Sequence, residues 1–81
     1  MRYVYILYSP VVDRYFVGSA PDLEKAVERH NSGKNRHTKT GIPWNPVYQK
    51  KFESRTEADD FEKRVKSSSS REELLSFIRK D

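Results

Sequence analysis

The sequence has no cysteine, which excludes disulfides and thiolate metal sites. That suits a reducing compartment, and a cytoplasmic location is the default expectation. No apolar run approaches the roughly 18 residues that a membrane helix needs. The apolar start, Met1-Arg2-Tyr3-Val4-Tyr5-Ile6-Leu7-Tyr8, is short and lacks a small-residue cleavage site, so no secretory signal is expected. Apolar residues are scarce, at 35%, so a chain of 81 residues must build a compact core. Aromatics, at 12%, supply large buried areas from few positions. The length allows one domain, expected over residues 1–81, and no internal repeat is visible.

Acidic residues are missing from one long stretch. The first 30 residues balance Arg2, Arg14, Lys25 and Arg29 against Asp13, Asp22, Glu24 and Glu28. The last part, from Glu53 onwards, is nearly balanced as well. Residues 31–52 hold no acid but carry Lys34, Arg36, Lys39, Lys50, Lys51 and His37. The net charge of +4 therefore has a single source. Such a patch attracts phosphates by counterion release and long-range steering. It also reads simply as a solvated, solubilising loop.

What is present organises into an α+β pattern. Residues 2–8 are β-branched and aromatic, as a strand prefers. Pro10 and Asp13 turn the chain, and Tyr15-Phe16-Val17-Gly18 reads as a short second strand of a hairpin. Leu23, Ala26, Val27 and His30 recur at helical spacing within Asp22–Asn31, with Pro21 and Asp22 at its start and Asn31-Ser32-Gly33 at its end. A polar, basic loop with Gly33, Gly41 and Pro43 runs to Trp44. Residues 47–52 suit a third strand, with Pro46 at its edge. Ser54-Arg55-Thr56-Glu57 is a capping box before a helix with Ala58, Phe61 and Val65 on one face. Four serines, Ser67 to Ser70, fit a helix-to-helix turn. Ser70-Arg71-Glu72-Glu73 is a second capping box, before Leu74, Leu75, Phe77 and Ile78. The expected order is ββ-α-β-α-α.

Four features then stand together: Tyr3-Val4-Tyr5 on the first strand, Phe16-Val17-Gly18 on the second, His30-Asn31 closing the first helix, and Glu62 within Glu57-Ala58-Asp59-Asp60-Phe61-Glu62-Lys63. In this order and spacing the chain resembles the GIY-YIG nuclease superfamily, specifically its short single-domain bacterial members. The resemblance covers essentially the whole chain, most clearly from Tyr3 to Lys66. It implies a small three-stranded antiparallel sheet flanked by about three helices. It also implies a metal-dependent phosphodiesterase acting on DNA, with RNA as a second candidate and no membrane partner. One divalent ion, magnesium or manganese, is the implied cofactor.

The implied site carries over unevenly. Tyr5 matches the tyrosine of the first motif, which helps to activate water. Its pKa near 10 requires help from a neighbour. The plainer reading is a sheet aromatic in the core. Phe16 stands where the second motif has tyrosine, so that ring has no hydroxyl. Tyr15 beside it points to the opposite face unless a bulge shifts the register. Ala26 stands where the helix arginine belongs, and an alanine cannot bind phosphate. Arg29, one turn on, lies on a nearby face and is the candidate replacement. His30 matches a family histidine placed to share or relay the Tyr5 proton, or else it closes the helix half-buried. Glu62 matches the metal-binding glutamate, and a single carboxylate with waters suits magnesium. Its plainer reading is an ion pair with Lys66 at i+4. Lys34, Arg36, His37, Thr38 and Lys39 form the implied backbone-binding rim, with no base-reading pattern. Trp44 has the ring to stack on an exposed base, but after Pro43 it is expected to anchor the loop on the core. The two losses point to weak or absent cleavage. A non-catalytic nucleic-acid-binding module and a protein-interaction domain stand as alternatives.

Overall fold

The structure, a computed structural model, describes residues 1–80; Asp81, the end of the expected 1–81 domain, lies outside them. Three strands, β1 (Arg2–Ser9), β2 (Arg14–Ala20) and β3 (Asn45–Phe52), form one antiparallel sheet in the order β2-β1-β3. The helices are α1 (Leu23–Asn31), α2 (Arg55–Lys66) and α3 (Arg71–Lys80). The chain is thus α+β with the order ββ-α-β-α-α, as the sequence pattern predicts.

The apolar run of β1 is explained by its position. It is the central strand, and Val4, Tyr5, Ile6 and Leu7 are all buried. Side chains of a strand alternate between faces, so an unbroken buried run needs cover on both. On one face Tyr5 and Leu7 pack with Trp44, Phe16, Leu23, Ala26 and Val27, which belong to β2, α1 and the loop before β3. On the other, Ile6 packs with Tyr48, Val65, Phe61, Leu74, Phe77 and Ile78, mostly from α2 and α3. The sheet is the middle of three layers.

Strand boundaries differ from expectation in β2 and β3. β2 extends to Ala20 because β1 offers it partners all the way from Ser9 to Tyr3. β3 begins at Asn45 and includes Pro46. The register slips by one residue there, with Ile6 opposite Tyr48 but Leu7 opposite Pro46, so Val47 is the extra residue of a bulge. A proline is tolerated at such a bulge on an edge strand. No slip occurs between β1 and β2, so Tyr15 stays on the α2 side of the sheet and cannot replace the missing Phe16 hydroxyl.

The helix starts also show how the local sequence works. Asp22 is the N-cap of α1 rather than its first residue, accepting from the Lys25 amide at 3.1 Å. Ser54 caps α2 by accepting from the Glu57 amide at 3.2 Å. At α3, Ser70 accepts from the Glu73 amide, while the Glu73 carboxylate reaches back past it to the Ser69 amide at 2.9 Å.

The basic loop is ordered by neutral groups. Asn31 grips the backbone of Trp44 twice: its Nδ2 donates to the Trp44 carbonyl at 3.0 Å, and its Oδ1 accepts from the Trp44 amide at 2.6 Å. The Trp44 indole N–H donates to the Thr38 carbonyl at 2.6 Å, and the Ser9 hydroxyl donates to the Gly41 carbonyl. Residues 39–41 form a single 3-10 turn within the loop. A side chain at Gly41 would strike the Trp44 ring at 2.5 Å. Asn31→Ala leaves two backbone groups of Trp44 without partners. It is expected to lower stability by about 1–3 kcal/mol, measured by urea unfolding.

Candidate active site

The Tyr5 ring crosses β2 over Gly18, which lies directly opposite it in the register. A Cβ on Gly18 would sit 2.7 Å from the Tyr5 hydroxyl and 2.9 Å from its ring. Only glycine leaves room for this crossing. It brings the phenol to α1, where the Tyr5 oxygen and His30 Nε2 lie 3.1 Å apart in a buried hydrogen bond. The other ring nitrogen, Nδ1, bonds the Thr38 hydroxyl at 2.9 Å. A chain of three groups thus runs from the loop through α1 to β1.

Glu62 approaches from the opposite layer. It lies on α2, its side chain only 17% exposed, and pairs with Lys66 at 2.7 Å. Ser19, the residue after Gly18, also hydrogen-bonds its carboxylate. Arg2 reaches Ser19 as well, its guanidinium donating to the Ser19 hydroxyl at 3.3 Å. Burial works to raise the Glu62 pKa. Hydrogen bonds from Lys66 and Ser19, with the charges of Lys66 and Arg2, outweigh it and hold the carboxyl below its usual range. The Lys66 pair is an i,i+4 pair with an exposed ammonium, worth about 0.3–0.5 kcal/mol. A divalent cation can displace so weak a partner.

Tyr5, Arg29, His30 and Glu62 line one cavity of about 480 Å³ at the β2 edge, between α1 and α2. Ala26 and Phe16 line it too. Phe16 keeps its ring contacts, with His30 at 4.7 Å and Tyr5 at 6.5 Å between centroids, but brings no polar atom. Arg29 is exposed and makes no ion pair among the described residues. Lys25 and Lys66 add two cations to the same wall. Among the described residues no cluster of three metal-ligating side chains occurs; Glu62 shares the cavity wall with one other carboxylate, Asp22, which caps α1. That fits a largely hydrated magnesium ion, which takes one or two carboxylates and keeps its waters.

The rim residues lie elsewhere. Lys34, Arg36, His37 and Lys39 are exposed on the loop and do not line this cavity. His37 lies instead beside Trp44, Phe16 and Arg14. Lys50 is on the other face of the sheet, over the Phe61 ring at 5.3 Å. The basic segment is therefore not one surface. Thr38, expected in that rim, is instead buried against His30, and Ser19 and Arg2 have no readable signal in the sequence; all three act through contacts that only the folded chain creates.

Burial raises the Tyr5 pKa, and the Glu62 charge adds to this, against Arg29 and Arg2. Burial, then Arg29, lowers that of His30. Unfolded, His30 takes its proton near pH 6.5. Folded, it does so at lower pH, so between the two values the unfolded state binds more protons. Stability is therefore expected to fall as pH drops from about 6.5 towards the folded value. Urea melts across this range should show the loss in the wild type, and His30→Gln should lack that component. Gly18→Ala is expected to cost about 1–3 kcal/mol by overpacking and to shift the His30 ring resonances as Tyr5 is displaced.

The family model described as the GIY-YIG catalytic domain matches residues 1–74. No curated protein matches the sequence. Among solved structures, the solution NMR structure of the UPF0213 protein BH0048 from Bacillus halodurans is similar, with 33% identity and a TM-score of 0.59 over 95% of this chain and 85% of that one. The matched stretch spans every element that contributes to the cavity, and the chain belongs to the GIY-YIG family.

Proposed function

We propose that this GIY-YIG nuclease-type domain hydrolyses DNA phosphodiester bonds in the cavity at the β2 edge, slowly, with one divalent ion. The observation that carries this is the convergence of Tyr5, Arg29, His30 and Glu62, from three elements, on one pocket. Tyr5, once its own proton has passed to solvent, takes a proton from the attacking water as the water oxygen bonds to phosphorus and the bond to the leaving sugar oxygen breaks, while His30 orients the phenol. Arg29, with no ion pair to give up among the described residues, faces the phosphate charge from one helical turn beyond the missing arginine. Glu62 would hold the magnesium or manganese ion, which when bound neutralises phosphate charge and favours hydroxide over water. The rate is low because Ala26 supplies no cation and Phe16 no hydroxyl. A preorganised group at a developing charge is worth about a hundred- to thousandfold.

Lys34, Arg36 and Lys39 support the binding half of this reading. They are exposed and free of ion pairs among the described residues, so they meet a phosphate backbone without breaking an internal pair. The same observation favours a second reading, a nucleic-acid-binding module without catalysis. A cytoplasmic location belongs with either.

Nicked, branched and single-stranded DNA, incubated with magnesium or manganese, test the enzyme. Slow cleavage is expected, abolished in Glu62→Ala and Tyr5→Phe. Ala26→Arg combined with Phe16→Tyr is expected to raise the rate by about a hundred- to thousandfold. If neither form cuts, the catalytic reading fails. Binding is measured separately as a function of salt. Neutralising Lys34, Arg36 and Lys39 is expected to flatten the log–log slope by about 0.9 for each phosphate that the protein no longer neutralises. An unchanged slope removes the loop as the DNA surface.

A further inference from the structure

Thr38 sits in the loop just before the 3-10 turn and is 1% exposed. Its backbone is fully engaged: the amide donates to the Asn35 carbonyl, and the carbonyl accepts from the Gly41 amide and the Trp44 indole. Its hydroxyl has one hydrogen-bond partner among the described residues, His30 Nδ1. That bond has two possible directions, and they have different consequences for Tyr5.

With the His30 proton on Nδ1, the ring donates to Thr38 and Nε2 accepts from the Tyr5 hydroxyl. The Thr38 proton then has no acceptor inside a buried site. Leaving a buried donor without an acceptor forfeits its hydration with nothing in return. With the His30 proton on Nε2, Thr38 donates to Nδ1 and the ring donates to the Tyr5 oxygen. The Tyr5 proton is then the free one. Tyr5 lines a cavity that is open to solvent, where water or a ligand oxygen accepts that proton. Only this second direction leaves no buried donor without a partner.

We propose that Thr38 is a positioning residue that fixes His30 as the Nε2-protonated tautomer, so that Tyr5 presents its hydroxyl proton to the cavity. Tyr5 is then a donor to whatever oxygen lies there, a phosphate oxygen above all. When that proton leaves, the phenolate oxygen already has a hydrogen bond from His30. The loop that carries the basic side chains thereby sets the proton direction inside the pocket. This deepens the reading of Tyr5 as the acid–base group. It is also a property of the free protein, so it stands or falls without DNA, metal or cleavage.

Ring nitrogens report their protonation directly in long-range proton–nitrogen correlation spectra of labelled protein, recorded above the imidazole titration range. His37→Gln separates the signals of the two histidines. The expected wild-type spectrum has Nε2 protonated and Nδ1 bare, at the shift of a nitrogen that accepts a hydrogen bond. Thr38→Ser keeps the donor and should keep that spectrum. Thr38→Val, close in shape, removes the donor and releases the ring, so Nδ1 should leave its wild-type shift, towards that of an unbonded bare nitrogen or of a protonated one. A wild-type proton on Nδ1 overturns the proposal, as does an Nδ1 shift that Thr38→Val leaves unmoved. The wild-type spectrum decides the tautomer even if Thr38→Val does not fold.

Discussion

The fold depends on one strand being buried on both sides. Val4, Tyr5, Ile6 and Leu7 are consecutive, so each face of the sheet receives large apolar side chains from β1. A face so loaded must be covered, and α1 with its loop takes one while α2 and α3 take the other. The two layers can approach each other only around an edge of the sheet, and at the β2 edge α1 and α2 do so. That is where the cavity opens, and why residues from both layers reach it. The site is a consequence of the three-layer packing rather than an addition to it.

Within that frame the site is unequally equipped. Tyr5, His30 and Thr38 form a buried hydrogen-bonded chain, and Gly18 gives the phenol its route. Glu62 is held as a carboxylate by Lys66 and Ser19. In the proposed reading, the phosphate-facing side lacks two groups, at Ala26 and Phe16. Phe16 shows how such a loss passes without structural damage. Its ring packs against His30, Tyr5 and Trp44, and none of those contacts uses a hydroxyl. Fold and catalysis make separate demands at this position.

The sequence discloses the regular elements well, and for a definite reason. Strand β1 and the apolar faces of α1 and α2 are written in periodicities of two and 3.6, which local residues fully express. Tyr5, His30 and Glu62 are readable because their spacing matches a family pattern. The edges are less readable. Ser19 and Ala20 lie in β2 only because β1 pairs with them, and Pro46 enters β3 only because a bulge accommodates it. Asn31 looks like an ordinary helix-ending residue, yet its amide fastens the loop at Trp44, 13 positions on. Thr38 sits among basic residues that suggest a surface, whereas its side chain is in the interior. Contacts between a loop and distant elements leave no periodic trace.

The neutral anchoring of that loop has a consequence of its own. Asn31, Thr38, Trp44 and Ser9 hold it with amide, hydroxyl and indole hydrogen bonds, while Lys34, Arg36 and Lys39 form no ion pairs among the described residues. Shape and charge are thus supplied by different residues. Ionic strength weakens the pull of exposed charges on a phosphate backbone but has little hold on buried neutral bonds. The loop keeps its form in salt that silences its attraction, and its cations are free to change in number or sign without disturbing the fold beneath them.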